Sequence, residues 1–205
     1  PRPGRRTRVI DIELEVDAAV AAAHPAGTNL ARLLPTPTRR PWLIGIDGRS
    51  GAGKTTLAEQ LAEVLRPVRD VTLFHMEDLY PGWDGLRPGT RTYVEEVLTP
   101  LRAGRDAEWS AWDWVTGSPG TPRLTRVAEV VVLEGVGACS AAARALLDVS
   151  VWVELPTALR YDRALSRDGA YYAEHWEQWA AQEDAYLAED HVWEQVDVLH
   201  PGPVH

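Results

Sequence analysis

The stretch that decides the fold is Gly48-Arg49-Ser50-Gly51-Ala52-Gly53-Lys54-Thr55. It matches the Walker A pattern in full, a glycine-rich loop between a strand and a helix whose backbone N–H groups surround phosphate. Lys54 supplies a charge for the outer phosphates, and the Thr55 hydroxyl can ligate Mg²⁺. Lys54 is the single lysine of the chain, against 20 arginines, which argues against a chance match. The residues predicted to bind the phosphates of ATP are Gly48, Ser50, Gly51, Ala52, Gly53, Lys54, Thr55 and Thr56.

Short apolar runs and helical patterns alternate from residue 42 onward. The apolar runs predict five strands, at residues 42–46, 71–74, 129–133, 149–155 and 196–199. Helical spacing predicts helices at 55–65, 156–165 and 171–189. Strands that alternate with helices favour an α/β fold, here a P-loop NTPase whose five-stranded parallel sheet carries helices on both faces.

Two parts of the chain lie outside this alternation. Residues 1–41 form an N-terminal extension, expected to pack on the surface of the P-loop domain at 42–205. Within it, 10–23 can form a helix or a mixed strand–helix segment, 28–34 a short helix, and the proline-rich 35–41 a linker. Residues 80–128 are an insertion rich in Gly, Pro and Trp, where we expect the substrate to be chosen.

Composition excludes several classes of partner. The formal net charge is -9, whereas a duplex-binding protein needs a basic surface, so no nucleic-acid partner is expected. Cys139 is the single cysteine, so no internal disulfide can form, and a cytoplasmic location is expected. No apolar run approaches the length of a membrane span, so no membrane partner is expected.

Acidic residues follow two of the predicted strands at the edge where ligands of parallel sheets bind. Glu134, directly after the third strand, is a candidate for holding Mg²⁺. Glu77 and Asp78 follow the second strand, and either can accept the proton of an attacking hydroxyl. Asp113, between Trp112 and Trp114, suits a hydroxylated ring, although a buried aromatic cluster explains the same pattern.

A second charged group lies near a predicted break in helix at Asp168-Gly169. Arg163 and Arg167 are four residues apart, so they share a helix face and can close over the triphosphate. Asp168 is a candidate substrate contact and can orient one of the two arginines. A solvated charged face is the competing interpretation. The spacing of Tyr172, Trp176, Trp179 and Tyr186 favours core packing, with lining of a pocket as the lesser interpretation. No histidine is assigned a catalytic role.

The order of these motifs resembles the uridine kinase-like P-loop kinases, over about residues 42–200. The resemblance rests on the Walker A loop, Glu77-Asp78-Leu79-Tyr80, Trp112-Asp113-Trp114, Leu133-Glu134-Gly135 and residues 163–168. It implies a nucleoside-kinase-like core with a lid at about 163–172, lid arginines at Arg163 and Arg167, and a catalytic acid after the second strand. The family has Asp three residues before Tyr80, where this chain has Glu77, so the choice between Glu77 and Asp78 stays open. Tyr80, Trp112 and Asp113 match the acceptor pocket, but Trp112 replaces a family tyrosine, which argues against uridine itself as the acceptor.

The sequence thus predicts an ATP-dependent, Mg²⁺-dependent kinase that phosphorylates a hydroxyl of a nucleoside-like or other small metabolite. Two alternatives stay open: a nucleotide-binding regulator or ATPase without an acceptor, and a degenerate kinase that serves as a binding module. The acceptor and the choice of ATP over another triphosphate are not fixed by any motif. The oligomeric state is also open, with a homodimer among the states considered.

Overall fold

A five-stranded parallel sheet forms the centre of the molecule, which we describe from a computed structural model. The structure describes residues 17–202, without the side chains of 167–171. The five strands are β1 (Trp42–Asp47), β2 (Val71–His75), β5 (Val130–Glu134), β6 (Val149–Glu154) and β7 (Val198–Pro201). They lie in the order β2-β5-β1-β6-β7, and each neighbouring pair is parallel. The predicted fold class is confirmed, with the last strand two residues later than predicted.

Helices cover both faces of this sheet. They are α1 (Ala18–Ala23), α2 (Pro25–Leu33), α3 (Lys54–Leu65), α4 (Leu86–Thr92), α5 (Thr99–Arg102), α6 (Ala141–Arg144) and α7 (Thr157–Asp190). A π-helix (Tyr93–Leu98) joins α4 to α5, and short 3₁₀ turns lie at Met76–Leu79 and Val192–Glu194. Strand residues alternate between two cores: Leu43 and Leu133 pack with the π-helix and α7, whereas Ile44 and Val132 pack with α2 and α3. Among the described residues, no helix has the length and apolar character of a membrane span.

Within the described part of the extension, residues 17–41, helices α1 and α2 lie against α3. Helix α1 ends at Ala23, and α2 begins at Pro25 and passes through Gly27, three residues before the start of the helix predicted at 28–34. Proline fits the first turn of a helix because its missing N–H has no intrahelical partner there. Leu30 is completely buried against the core. The predicted segment at 10–23 lies outside the described residues apart from α1 and its N-cap residue, Asp17.

The insertion forms helices and a hairpin that the sequence does not predict. After α4, the π-helix and α5, strands β3 (Ala107–Asp113) and β4 (Ser118–Thr125) pair antiparallel as a separate two-stranded sheet. The π-helix packs on the sheet through Tyr93, which is fully buried and stacks with Phe74 of β2.

The predicted helix break at Asp168-Gly169 is wrong, because the backbone of α7 is helical from Thr157 to Asp190. One glycine inside a helix costs about 1 kcal/mol relative to alanine. Burial of two large side chains that follow it in the helix, Tyr172 and Trp179, outweighs that cost. The side chains of Arg167 and Asp168 lie outside the described residues.

Candidate active site

The glycine-rich loop lies between β1 and α3, as the Walker A pattern predicts. Gly51 has a positive φ of 78°, and a Cβ there would overlap the carbonyl oxygen of Arg160. Only glycine fits such a position without strain. Helix α3 begins at Lys54, so its first N–H groups, which lack intrahelical partners, face the loop. Lys54 is buried, and its Nζ donates to the Arg49 carbonyl oxygen at 3.1 Å. The conformation of the loop is therefore fixed by contacts within the protein.

Helix α7 holds the loop from two positions. The Ser50 N–H donates to the Glu183 carboxylate at 2.7 Å, and the Ser50 carbonyl oxygen accepts from Arg160 at 3.2 Å. Glu183 is buried and also accepts from Arg49 Nε at 2.9 Å. Because both backbone polar groups of Ser50 are bonded to α7, its N–H is committed to a contact within the protein.

A buried acid, Asp47, fixes the start of the loop. Its carboxylate accepts from the backbone N–H groups of Gly48 at 2.7 Å, Gly137 at 3.0 Å and Cys139 at 2.9 Å. The Tyr186 hydroxyl donates a fourth bond at 2.8 Å. Burial raises the pKa of Asp47, and the four hydrogen bonds act against that shift. Asp47 thus connects the phosphate loop, the segment after β5 and α7.

The predicted metal residues, Thr55 and Glu134, are in contact. The Thr55 hydroxyl donates to Glu134 Oε1 at 3.1 Å, at the carboxyl end of β5. His75 Nδ1 lies 2.7 Å from the same oxygen, and this bond raises the pKa of His75. Hydroxyl and carboxylate oxygens are ligands that Mg²⁺ prefers, and Mg²⁺ commonly takes one or two from protein and the rest from water and phosphates. The pair therefore fits a Mg²⁺ ion beside bound phosphates.

A cavity of about 260 Å³, the inner cavity, opens beside the loop. Its polar wall includes Lys54, Thr55, Glu77 and Glu134. The remaining large side chains are aromatic: Tyr80, Trp83, Trp114, Tyr172 and Trp179. Four phosphate-loop residues, two carboxylates and five rings thus face one space.

The structure separates Glu77 from Asp78. Glu77 lines the inner cavity, whereas Asp78 is not among its lining residues and pairs with Arg123 at 2.7 Å. The difference arises because adjacent residues of the turn at Met76–Leu79 point in different directions. Tyr80 lines the cavity with its ring, and its hydroxyl donates to the Val136 carbonyl oxygen at 2.8 Å.

Asp113 and Trp112 are not brought to the inner cavity. Asp113 ends β3, where its carboxylate accepts from the N–H groups of Val115 at 2.9 Å and Thr116 at 3.1 Å. The bonds to Thr116 and Val115 lower the pKa of Asp113. This pattern is an Asx turn, so the carboxylate closes the hairpin. Trp114, two residues after Trp112, lines the cavity instead.

A second and larger cavity of about 920 Å³, the outer cavity, also borders the loop. It shares Gly51, Lys54 and Thr55 with the inner cavity and adds Thr56. Arg163 of α7 lines it. The structure thus places one predicted lid arginine beside the phosphate loop.

Sequence reasoning missed several of these residues. Asp47 had a usable signal, because it is an acid that ends a buried strand directly before the glycine loop. His75 also had one, as the polar end of β2 beside Glu77. Glu183 had none, because its role depends on where α7 crosses the loop. Tyr172 and Trp179 are buried, as core packing predicts, and they also line the inner cavity, which was the lesser interpretation.

The fold is a P-loop fold of the nucleoside-kinase type. The chain is 25% identical over 146 residues to a uridine kinase of Lactobacillus johnsonii, covering 64% of this chain and 69% of the relative. A uridine kinase of Lactobacillus helveticus is 24% identical over 144 residues, covering 63% and 68%. The resemblance to uridine kinase-like P-loop kinases, inferred from the motifs, is confirmed by these relatives. No family model matches the chain.

Solved structures show the same fold. A structure described as a possible uridine kinase from Bacillus stearothermophilus has a TM-score of 0.66 and 22% identity, covering 87% of this chain and 99% of that chain. A putative fructose transport system kinase from a Silicibacter species has a TM-score of 0.55 and 18% identity, covering 89% and 98%. The Bacillus stearothermophilus structure covers 87% of the present chain, so most of the fold is shared.

Proposed function

We propose that this protein is a small-molecule kinase that transfers the γ-phosphoryl group of Mg-ATP to a hydroxyl of a ring-bearing metabolite. The observation that carries the proposal is the inner cavity, which joins the phosphate loop to Glu77, Glu134 and five aromatic rings. The curated relatives named uridine kinase support a phosphotransferase. An alcohol acceptor follows from the carboxylate beside the loop, since a hydroxyl nucleophile needs a group to accept its proton.

The proposed phosphate contacts come from residues 48–56. The N–H groups at the start of α3 and the Lys54 ammonium bind the phosphates and neutralise their charge. Thr55 and Glu134 would hold Mg²⁺, which when bound neutralises charge on the phosphate oxygens. His75 holds Glu134 in place through the bond at 2.7 Å.

Glu77 is the proposed acceptor of the hydroxyl proton. It lines the cavity that contains Lys54, whereas Asp78 is not among the lining residues of that cavity. Arg163, at the outer cavity, is proposed to stabilise charge on the transferred group. Arg167, as a second arginine of this kind, and Asp168, as a substrate contact, remain proposals from the sequence pattern alone.

The walls of the inner cavity select among acceptors. Trp83, Trp114 and Trp179 offer flat apolar surfaces on which a ring can stack. Of the charged side chains described in the wall, Glu77 and Glu134 are acidic, and the cation Lys54 is assigned to phosphate. An anionic acceptor would therefore meet repulsion, so neutral or cationic rings with a hydroxyl are preferred.

The test is a phosphorylation panel analysed by mass spectrometry. The full chain is incubated with Mg-ATP and nucleosides, sugars, pantothenate-like alcohols or aminoglycosides, and a single added phosphoryl group is sought. Lys54→Ala should abolish the product, whereas Arg66→Ala, an exposed change at the end of α3, should leave it intact. ATP hydrolysis that no acceptor stimulates, with no product in the panel, would favour a regulator over a kinase.

A further inference from the structure

The outer cavity continues directly from the phosphate loop. A triphosphate whose last phosphoryl group faces Glu77 in the inner cavity must extend away from it along the loop. Thr56, which lines the outer cavity and not the inner one, marks that direction. The outer cavity is therefore where the nucleoside end of the bound nucleotide belongs.

One wall of the outer cavity comes from the N-terminal extension. Four residues of α2 line it: Pro25, Ala26, Asn29 and Leu33. Helix α2 is fixed on α3, because Gln60 Oε1 accepts from the N–H groups of Ala26 at 3.1 Å and Gly27 at 3.2 Å. A Cβ at Gly27 would overlap the Gln60 carbonyl group, so the two helices are in close contact. The wall is thus preformed and keeps a set distance from the loop.

The side chains on this wall have the chemistry of a base site. Leu33 is 58% exposed, a large apolar side chain that faces the cavity from a helix whose neighbouring Leu30 and Leu34 are buried. Its exposed apolar surface can pack on a flat ring. Asn29 is also exposed, and its amide supplies both donors and an acceptor for the polar edge of a base or for ribose hydroxyls.

The lining of the outer cavity also contains a buried nitrogen that lacks a hydrogen-bond partner among the described residues. His200, at the end of β7, is 8% exposed and lines the outer cavity. Within residues 17–202, its Nδ1 has no hydrogen-bond partner. Burial lowers the pKa of His200, and a hydrogen bond with the Pro201 backbone acts against that shift. A buried polar atom without a partner is costly, which points to a bound group at this position.

We propose that helix α2 of the N-terminal extension is part of the nucleotide site and recognises the base and ribose of the nucleoside triphosphate. Leu33 packs on the base, Asn29 hydrogen-bonds to polar atoms of the nucleoside, and His200 faces it from β7. This inference rests on the proposed function, in that a triphosphate occupies the loop. It adds that residues outside the P-loop domain determine nucleotide affinity.

Calorimetry can separate base recognition from phosphate recognition. The full chain is titrated with Mg-ATP and with magnesium tripolyphosphate, which carries the phosphates without a nucleoside. The double variant Asn29→Ala/Leu33→Ala should raise the Kd for ATP about tenfold, since it removes one hydrogen bond and one apolar contact. Its Kd for tripolyphosphate should stay within about twofold of the parent value, because the variant leaves the phosphate contacts unchanged. The tenfold change in the Kd for ATP corresponds to about 1.4 kcal/mol of binding free energy. Arg32→Ala, on an exposed residue of the same helix that does not line the cavity, should change neither.

A second variant adds a large side chain to the outer cavity, whereas the double variant removes side-chain atoms from it. Asn29→Trp should block the nucleoside and leave tripolyphosphate binding intact. An ATP Kd that neither variant changes would overturn the inference and leave the kinase proposal standing. An equal loss for ATP and tripolyphosphate would overturn it as well, because α2 would then act only by supporting the loop. Failure of the parent chain to bind either compound would overturn the proposed function itself.

Discussion

Replacement of Glu77 by Gln tests the assignment of the proton acceptor, and Asp78→Asn is its matched control. Both changes remove one negative charge from adjacent residues and keep the side-chain shape. Only Glu77 lines the inner cavity. A general base contributes about 10²- to 10⁴-fold to rate. At 1.36 kcal/mol for each factor of ten, Glu77→Gln should raise the barrier by about 2.7–5.4 kcal/mol.

The expected effect of Asp78→Asn follows from its partner. Asp78 and Arg123 are 39% and 48% exposed, so their ion pair is largely solvated. Such pairs contribute about 0–1 kcal/mol, which limits the loss of kcat in Asp78→Asn to about fivefold. The asymmetry between two neighbouring acids is therefore at least about twentyfold.

The assay is steady-state ADP release with the acceptor found in the panel, as a function of pH. Loss of kcat in Glu77→Gln should be accompanied by loss of the acidic limb of the kcat/KM profile, because that limb reports the base of the free enzyme. Thermal unfolding of both variants checks that the fold is intact. Equal losses in the two variants, or a larger loss in Asp78→Asn, would refute the assignment.

Two further predictions concern buried groups. Tyr186→Phe removes the donor at 2.8 Å from the buried carboxylate of Asp47, so the free energy of unfolding should fall by about 1–3 kcal/mol and the Tm by about 3–10 °C. Tyr161→Phe, at a residue that is 38% exposed, should change the Tm by less than about 1 °C, and an equal response of the two variants would contradict the reasoning. For His200, burial lowers the folded-state pKa, so its stabilising contribution is complete above the unfolded pKa of about 6.5 and is lost as pH falls toward the lowered value. Urea unfolding at about pH 8 and about pH 5.5 should therefore show a smaller loss of stability in His200→Leu than in the parent chain, and identical losses would rule the effect out.

The sheet and the phosphate loop were predictable because their signals are local. Val130–Glu134 is a short apolar run that ends in an acid. The loop at 48–55 has glycines, a lysine and a threonine at the fixed spacing of the Walker A pattern. The hairpin was not predictable, because β4 contains Pro119 and Pro122 and is mostly exposed, so it has no apolar alternation. Contacts between distant segments also leave no local pattern, as with Glu183 on the Ser50 N–H.

The carboxylate at Asp113 shows how a pattern can point to the wrong neighbour. Aromatic residues on both sides of an acid predict a ring-binding pocket, and an aromatic pocket does exist nearby. However, an aspartate before a turn can also accept from backbone N–H groups two and three residues ahead, and here it does so. Sequence alone does not decide between a hydrogen bond to a ligand and hydrogen bonds to the turn, because both use the same carboxylate.

Continuity of α7 restricts how the predicted lid can close. Arg160 near its start and Glu183 near its end both hold Ser50 of the phosphate loop. A rigid rotation of the whole helix would break both contacts and would expose the buried carboxylate of Glu183. Motion that keeps the loop intact must therefore be taken up between these two residues, and Gly169 is where bending of the helix costs least. That interval includes Arg163 at the outer cavity and Tyr172 and Trp179 at the inner one, so a bend there would move the walls of both cavities while the loop stays fixed.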